Sequence, residues 1–69
     1  MIEPTTDLGR NIRRLRRAAG LTQPQLAERL GVQQSVVSEI ETGRRSLSVA
    51  RLDAWARALS CRPADLLAD

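Results

Sequence analysis

The chain has 69 residues, 42% of them hydrophobic and 28% charged, with one aromatic residue (Trp55), one cysteine (Cys61) and no histidine. That length holds one domain, and the missing side chains exclude an internal disulfide framework, a Cys- or His-based metal site, a Ser-His-Asp triad and a His general base. The net charge is +3 and all 11 positive side chains are arginine, whose planar, permanently charged fork suits phosphates and base edges.

Genome composition alone can replace lysine with arginine, but it does not dictate where the arginines stand. Residues 1–20 and 44–62 are strongly basic, while residues 21–43 carry one arginine against three acids. Two basic blocks around a slightly acidic middle suit phosphate contacts on either side of a neutral reading surface. No apolar run is long enough for a membrane span. The first residues lack the basic and apolar regions of a signal peptide, so the expected location is the cytoplasm.

Residues 1–6 have no periodicity and contain Pro4; they read as a flexible tail ahead of a single domain over 7–69. The first helix is expected from about Asp7 to Ala19. Leu8, Ile12, Leu15 and Ala19 share one face, Arg10, Arg13, Arg14 and Arg17 recur at helical spacing on others, and Gly20 is a left-handed stop. The second helix has the strongest local signal. Thr22-Gln23-Pro24-Gln25 is a capping box, Pro24 needs no N–H in a first turn, Leu21 can staple to Leu26, and Gly31 ends the helix. The third follows closely, from Gln33 or Gln34 to Thr42, with Gly43 as its stop. Val36, Val37 and Ile40 face inward. Gln34, Ser35, Ser38, Glu39 and Thr42 face outward in a short polar strip with no arginine.

A basic loop, Arg44-Arg45-Ser46-Leu47, leads to Ser48, which caps a fourth helix lined by Val49, Leu52, Trp55, Ala56 and Leu59. A short fifth helix opens at Pro63, a favoured first position, and carries Leu66 and Leu67. The expected class is therefore all-α, with five helices and short loops. Cys61 reads as a small core residue.

Two short helices joined by a tight turn over Leu21–Thr42 form a helix-turn-helix. The motifs around it are Leu8-Gly9-Arg10-Asn11-Ile12-Arg13, Leu15-Arg16-Arg17 and Gly20-Leu21-Thr22-Gln23, then Leu26-Ala27-Glu28-Arg29-Leu30-Gly31-Val32. They continue through Val37-Ser38-Glu39-Ile40-Glu41-Thr42-Gly43, Leu52, Trp55-Ala56, Leu59 and Asp65-Leu66-Leu67. On these residues the chain resembles the phage-repressor and Cro-like (xenobiotic-response-element type) helix-turn-helix regulators. The resemblance implies a compact five-helix, lambda-repressor-like DNA-binding domain without enzymatic activity or cofactor.

The same resemblance implies roles. Gln34, Ser35, Ser38 and Glu39 match positions that face the major groove, where glutamine can read adenine and glutamate can accept from cytosine. Gln33 stands where relatives carry a Ser or Thr cap, so it either caps the third helix weakly or joins the base-reading set. Glu39, where many relatives are basic, either reads cytosine or orients Arg44 or Arg45. Gln23, Arg44 and Arg45 match phosphate contacts, and Arg14 is added to that set. Arg16 and Glu41 resemble a structural ion pair. An independent clue agrees, because Glu41 opposes the helix dipole in a last turn and needs a positive partner.

A single helix-turn-helix reads few base pairs, so the expected regulator is a homodimer on an inverted-repeat operator. Trp55, Leu59, Leu66 and Leu67 are the candidate interface. Repression of transcription is the leading reading, with RNA polymerase a candidate second partner and no small-molecule ligand or membrane expected. The alternative is an antitoxin-type DNA-binding protein whose main role is to bind a partner protein. Phage, mobile-element and restriction–modification settings all fit the sequence.

Overall fold

The computed structural model describes residues 7–67; the expected tail over 1–6 and the last two residues of the expected domain lie outside them. Among the described residues there are five helices and no strand: α1 (Asp7–Ala18), α2 (Gln23–Leu30), α3 (Gln34–Glu41), α4 (Val49–Ala58) and α5 (Pro63–Leu67). The expected boundaries hold to within a residue. None of these helices is long and apolar enough to cross a membrane.

Each helix ends where local chemistry ends it. The capping box of α2 is formed in both directions. The Gln25 N–H donates to Thr22 Oγ1 at 3.2 Å, and the Thr22 N–H donates to Gln25 Oε1 at 2.9 Å. Gly31 closes the helix at φ 71°, a left-handed conformation that costs glycine nothing sterically. Its N–H reaches the carbonyls of Ala27 and Glu28. Ser60 takes the same role after α4 at φ 58°, an uncommon conformation for a residue with a side chain.

Three expected features of the helix starts and faces differ. Val49, expected on the apolar face of α4, is 83% exposed, because it stands in the first turn, ahead of the buried Leu52, Trp55 and Ala56. Ser48 occupies the extended cap position of α4, but its side chain makes no cap hydrogen bond. Ala19 lies beyond the end of α1 and is exposed, because the helix stops one residue short and turns through Gly20. At α5, where Arg62 offers no cap side chain, Asp65 reaches back and accepts from the Arg62 N–H at 3.0 Å.

The core is formed by Ile12, Leu26, Ala27, Val37, Ile40, Leu52, Trp55, Ala56, Leu59 and Leu66. Cys61 is half-buried and packs against this cluster, with burial pushing its thiol pKa up. Two contacts fix α1 in place. Gly9 is buried where α1 crosses the end of α3, so closely that a Cβ there would lie 2.6 Å from the Ile40 carbonyl oxygen. Asn11, also buried, donates through Nδ2 to the Leu66 carbonyl at 2.9 Å and ties α1 to α5.

Candidate nucleic-acid interface

The helix-turn-helix is α2 and α3, joined by residues 31–33. α3 buries Val37 and Ile40 and turns Gln34 and Ser35 fully outward, with Ser38 and Glu39 half-buried beside them. Gln33 holds the cap position of α3 in extended conformation, is exposed, and makes no side-chain cap bond. The outward strip is therefore polar, short and free of arginine. Thr42 is turned back on the helix, its hydroxyl donating to the Ser38 carbonyl at 2.9 Å.

Beneath this strip lies Glu41, fully buried. Arg16 grips it twice, Nε donating to Oε2 at 2.6 Å and Nη2 donating to Oε1 at 3.2 Å. The remaining Nη1 of Arg16 donates to the Leu21 carbonyl at 2.9 Å, at the entry to α2. Burial pushes the Glu41 carboxyl up. The hydrogen bonds from Arg16 and Gln23, the charge of Arg16 and a hydrogen bond from Arg13 outweigh it and hold the group below the ordinary glutamate range. The expected pairing of Arg16 with Glu41 is thus present, and it joins α1, the start of α2 and the end of α3 at one point.

Gln23 is connected to the same carboxylate. Its Nε2 donates to Glu41 Oε1 at 3.0 Å, and its Oε1 accepts from Gln34 Nε2 at a long 3.4 Å. A side-chain path therefore runs from the buried ion pair through Gln23 to the first residue of α3. The expected role of Gln23, a phosphate contact, does not include this link. No local pattern signals it, because its partners lie 11 and 18 residues away.

On the other side of α3, Arg45 pairs with Glu39: both Nε and Nη2 lie 2.8 Å from Oε1. Of the two expected roles for Glu39, the geometry in the free protein is that of an orienting partner for Arg45. Arg44 is exposed, and its backbone N–H donates to the Glu39 carbonyl at 2.8 Å. Arg14 is exposed on α1, where it lines a cleft with Arg10, Arg13, Arg17 and Glu41.

The expected dimer interface requires correction. Trp55 is 2% exposed, Leu59 4% and Leu66 0%; all three fill the core of their own chain and present no surface to a second copy. Only Leu67, 60% exposed, stands outward. An apolar helix face in a sequence does not state whether its own chain or another covers it, and here α2 and α5 pack against α4. Among the described residues no group of acidic or cysteine side chains could hold a metal ion.

Comparison with known proteins agrees with this architecture. Residues 12–66 match the family described as Helix-turn-helix. An uncharacterised HTH-type transcriptional regulator, y4dJ of Sinorhizobium fredii, is 40% identical over 60 residues, covering 87% of this chain and 78% of that protein. The restriction-modification controller protein C.AhdI from Aeromonas hydrophila superposes with a TM-score of 0.82 at 37% identity, covering 87% of this chain and 91% of that one. The DNA-binding domain of the P22 c2 repressor superposes with a TM-score of 0.83 at 30% identity, covering 91% and 83%. This family and fold are those of transcription regulators and not of enzymes. With α2 and α3 as its helix-turn-helix, the chain belongs to the Cro/C1-like helix-turn-helix family of DNA-binding transcriptional regulators.

Proposed function

We propose that this protein is a sequence-specific repressor that binds an inverted-repeat operator as a homodimer, reading each half-site with α3. The observation that carries the reading is the outward strip of α3. It offers amide, hydroxyl and carboxylate groups able to discriminate base edges, and it carries none of the basic side chains that favour indiscriminate phosphate binding. Gln33, Gln34, Ser35, Ser38 and Glu39 are the base-reading set. Repression is supported by likeness to the P22 c2 repressor domain and needs no chemistry beyond occupying a site that polymerase must cross.

Gln23, Arg14, Arg44 and Arg45 contact backbone phosphates. Gln23 gives one amide N–H to Glu41 and keeps a second, since an amide carries two donors. Its own backbone N–H lies at the positive N-terminal end of α2, where Pro24 has no N–H and that of Gln25 is taken by Thr22. Glu39 holds Arg45 at the edge of the reading strip. The homodimer forms through the exposed end of α5 at Leu67, because the other expected apolar residues are spent on the core. The protein acts in the cytoplasm, on the nucleoid.

The test is binding at one fixed salt concentration, because phosphate contacts alone can dominate affinity. Gln34→Ala with Ser35→Ala should abolish preference for the operator over random duplex while leaving random-duplex binding in place. Unchanged preference in that variant would remove α3 from the reading role. In a transcription reaction, an operator overlapping the promoter should lose its transcript on addition of the protein. A rise in transcript would make the protein an activator.

A further inference from the structure

Arg16 of α1 is held by Glu41, but the fold does not account for the other arginines of that helix. Arg10, Arg13, Arg14 and Arg17 stand at i, i+3, i+4 and i+7, so each has like-charged neighbours one turn away, an arrangement that weakens a helix. All four are exposed, and all four line one cleft that has Glu41 at its floor. Glu41 is the acid that lines this cleft, and it is already engaged by Arg16 and Gln23. Arg13 reaches it only at 3.5 Å. Among the described residues Arg10, Arg14 and Arg17 have no carboxylate within ion-pair distance; the nearest influence is that of Arg14 on Asp65, felt through charge alone. Four guanidinium groups thus converge on a surface with one neutralised carboxylate.

The position of the cleft decides what it serves. Its floor residue, Glu41, is hydrogen-bonded to Gln23, which meets Gln34 at the start of α3. The cleft therefore continues the proposed DNA surface on the α1 side, opposite the basic loop at Arg44 and Arg45. Along α1 the arginines advance by about 10 Å from Arg10 to Arg17. That is enough to follow a backbone over more than one phosphate, where consecutive phosphates on a strand advance by about 3.4 Å along the duplex axis.

We infer that the α1 arginine cleft is a second phosphate-binding surface, which grips duplex backbone flanking the bases read by α3 and adds affinity without adding sequence preference. The inference rests on the DNA-reading role proposed above. It assigns Arg10, Arg13 and Arg17, together with Arg14, to the backbone on one flank, and leaves Arg44 and Arg45 for the other.

The experiment is the salt dependence of binding to the site enriched by selection from a random duplex pool, once on long flanks and once trimmed to the bases under α3, using wild type, Arg10→Gln/Arg17→Gln and Arg10→Lys/Arg17→Lys. Neither residue has an ion-pair partner among the described residues, and thermal melting checks that the variants fold. Each lost phosphate contact lowers the slope of log affinity against log salt by about 0.9. On long flanks the glutamine variant should be shallower by about 1.8 for each protomer, or about 3.6 for the dimer on both half-sites, which is roughly a 150-fold difference between about 50 and 200 mM salt. The lysine variant should restore the slope, the enriched sequence should not change, and trimming the flanks should erase the difference.

Arg57→Gln, away from the cleft and paired with Asp53, should leave the slope as in wild type. An unchanged slope in the glutamine variant would overturn the inference, as would an altered base preference. Tripolyphosphate that binds the cleft in calorimetry while the duplex slope stays unchanged would assign it to a small phosphorylated molecule instead, and also overturn it. A wild-type protein that binds no duplex would defeat the DNA-reading role itself, an outcome distinct from failure of the cleft alone.

Discussion

Arg16 and Glu41 meet through two hydrogen bonds, of 2.6 and 3.2 Å, with the carboxylate fully buried and the guanidinium nearly so. Through this pair the reading helix is fixed to α1 at its C-terminal end, where the helix dipole disfavours a lone negative charge. The pair is useful because it is complete. Its last guanidinium nitrogen is used by the Leu21 carbonyl, and among the described residues no buried side-chain polar atom lacks a partner.

Breaking one side of such a pair strands the other charge out of water. Glu41→Ala should therefore destabilise the protein by about 3–5 kcal/mol, measured as a lower urea midpoint. Arg16→Lys should also destabilise it, because a single ammonium cannot bond both carboxylate oxygens and the Leu21 carbonyl in the same fixed geometry. An unchanged midpoint in Glu41→Ala would show that the pair is not a stabilising element.

The same carboxylate gives stability a pH dependence of known sign. Hydrogen bonds and charge hold Glu41 below its ordinary value of 4.5 in the folded chain. Its contribution is therefore complete above that ordinary value and is lost as pH falls through the lower, folded one. Urea midpoints should fall in acid below the ordinary glutamate range. In Glu41→Gln, which carries no titrating group there, that part of the fall should be absent. Asp65 is also held low, first by the Arg62 backbone N–H, but it is exposed to solvent and adds little.

Gly9 is required by the close approach of α1 to α3. Gly9→Ala would place a methyl 2.6 and 2.7 Å from the carbonyl oxygens of Ile40 and Glu41. The backbone must separate to admit it, at a cost of about 1–3 kcal/mol, even though alanine is the better helix former. Chemical denaturation of the purified variant measures it, and a stabilised Gly9→Ala protein would contradict the packing.

Glu39 and Arg45 should affect DNA binding more than folding, because the pair is largely exposed and such pairs are worth roughly 0–1 kcal/mol. Glu39→Gln removes a negative charge beside the backbone and frees Arg45. Binding to random duplex should strengthen, and the salt slope should steepen by about 0.9 for each bound protomer. The preference for the operator should narrow in the same titrations.

What the sequence made legible was mostly local. The Thr22–Gln25 capping box, the glycine stops and the polar strip from Gln34 to Glu39 all follow from spacings within one or two turns, and the structure reproduces them. What it did not disclose depends on residues distant in the chain. Gly9 gave no sign that Ile40 and Glu41 press on it. Asn11 is 55 residues from its Leu66 partner, beyond the reach of any spacing within α1. Trp55, Leu59 and Leu66 were legible as apolar but not as covered. Gln23 was legible as a polar residue near a helix start, and its engagement with Glu41 came only with the packing of α1, α2 and α3.

The central claim is that α3 reads a specific duplex sequence in a two-fold arrangement. Selection from a random duplex pool with the wild-type protein, at fixed salt near the physiological level, followed by sequencing, tests it most directly. An enriched inverted repeat, its half-sites about one helical turn apart, is the expected result. A pool that binds but remains flat in sequence, or no binding at all, would contradict it.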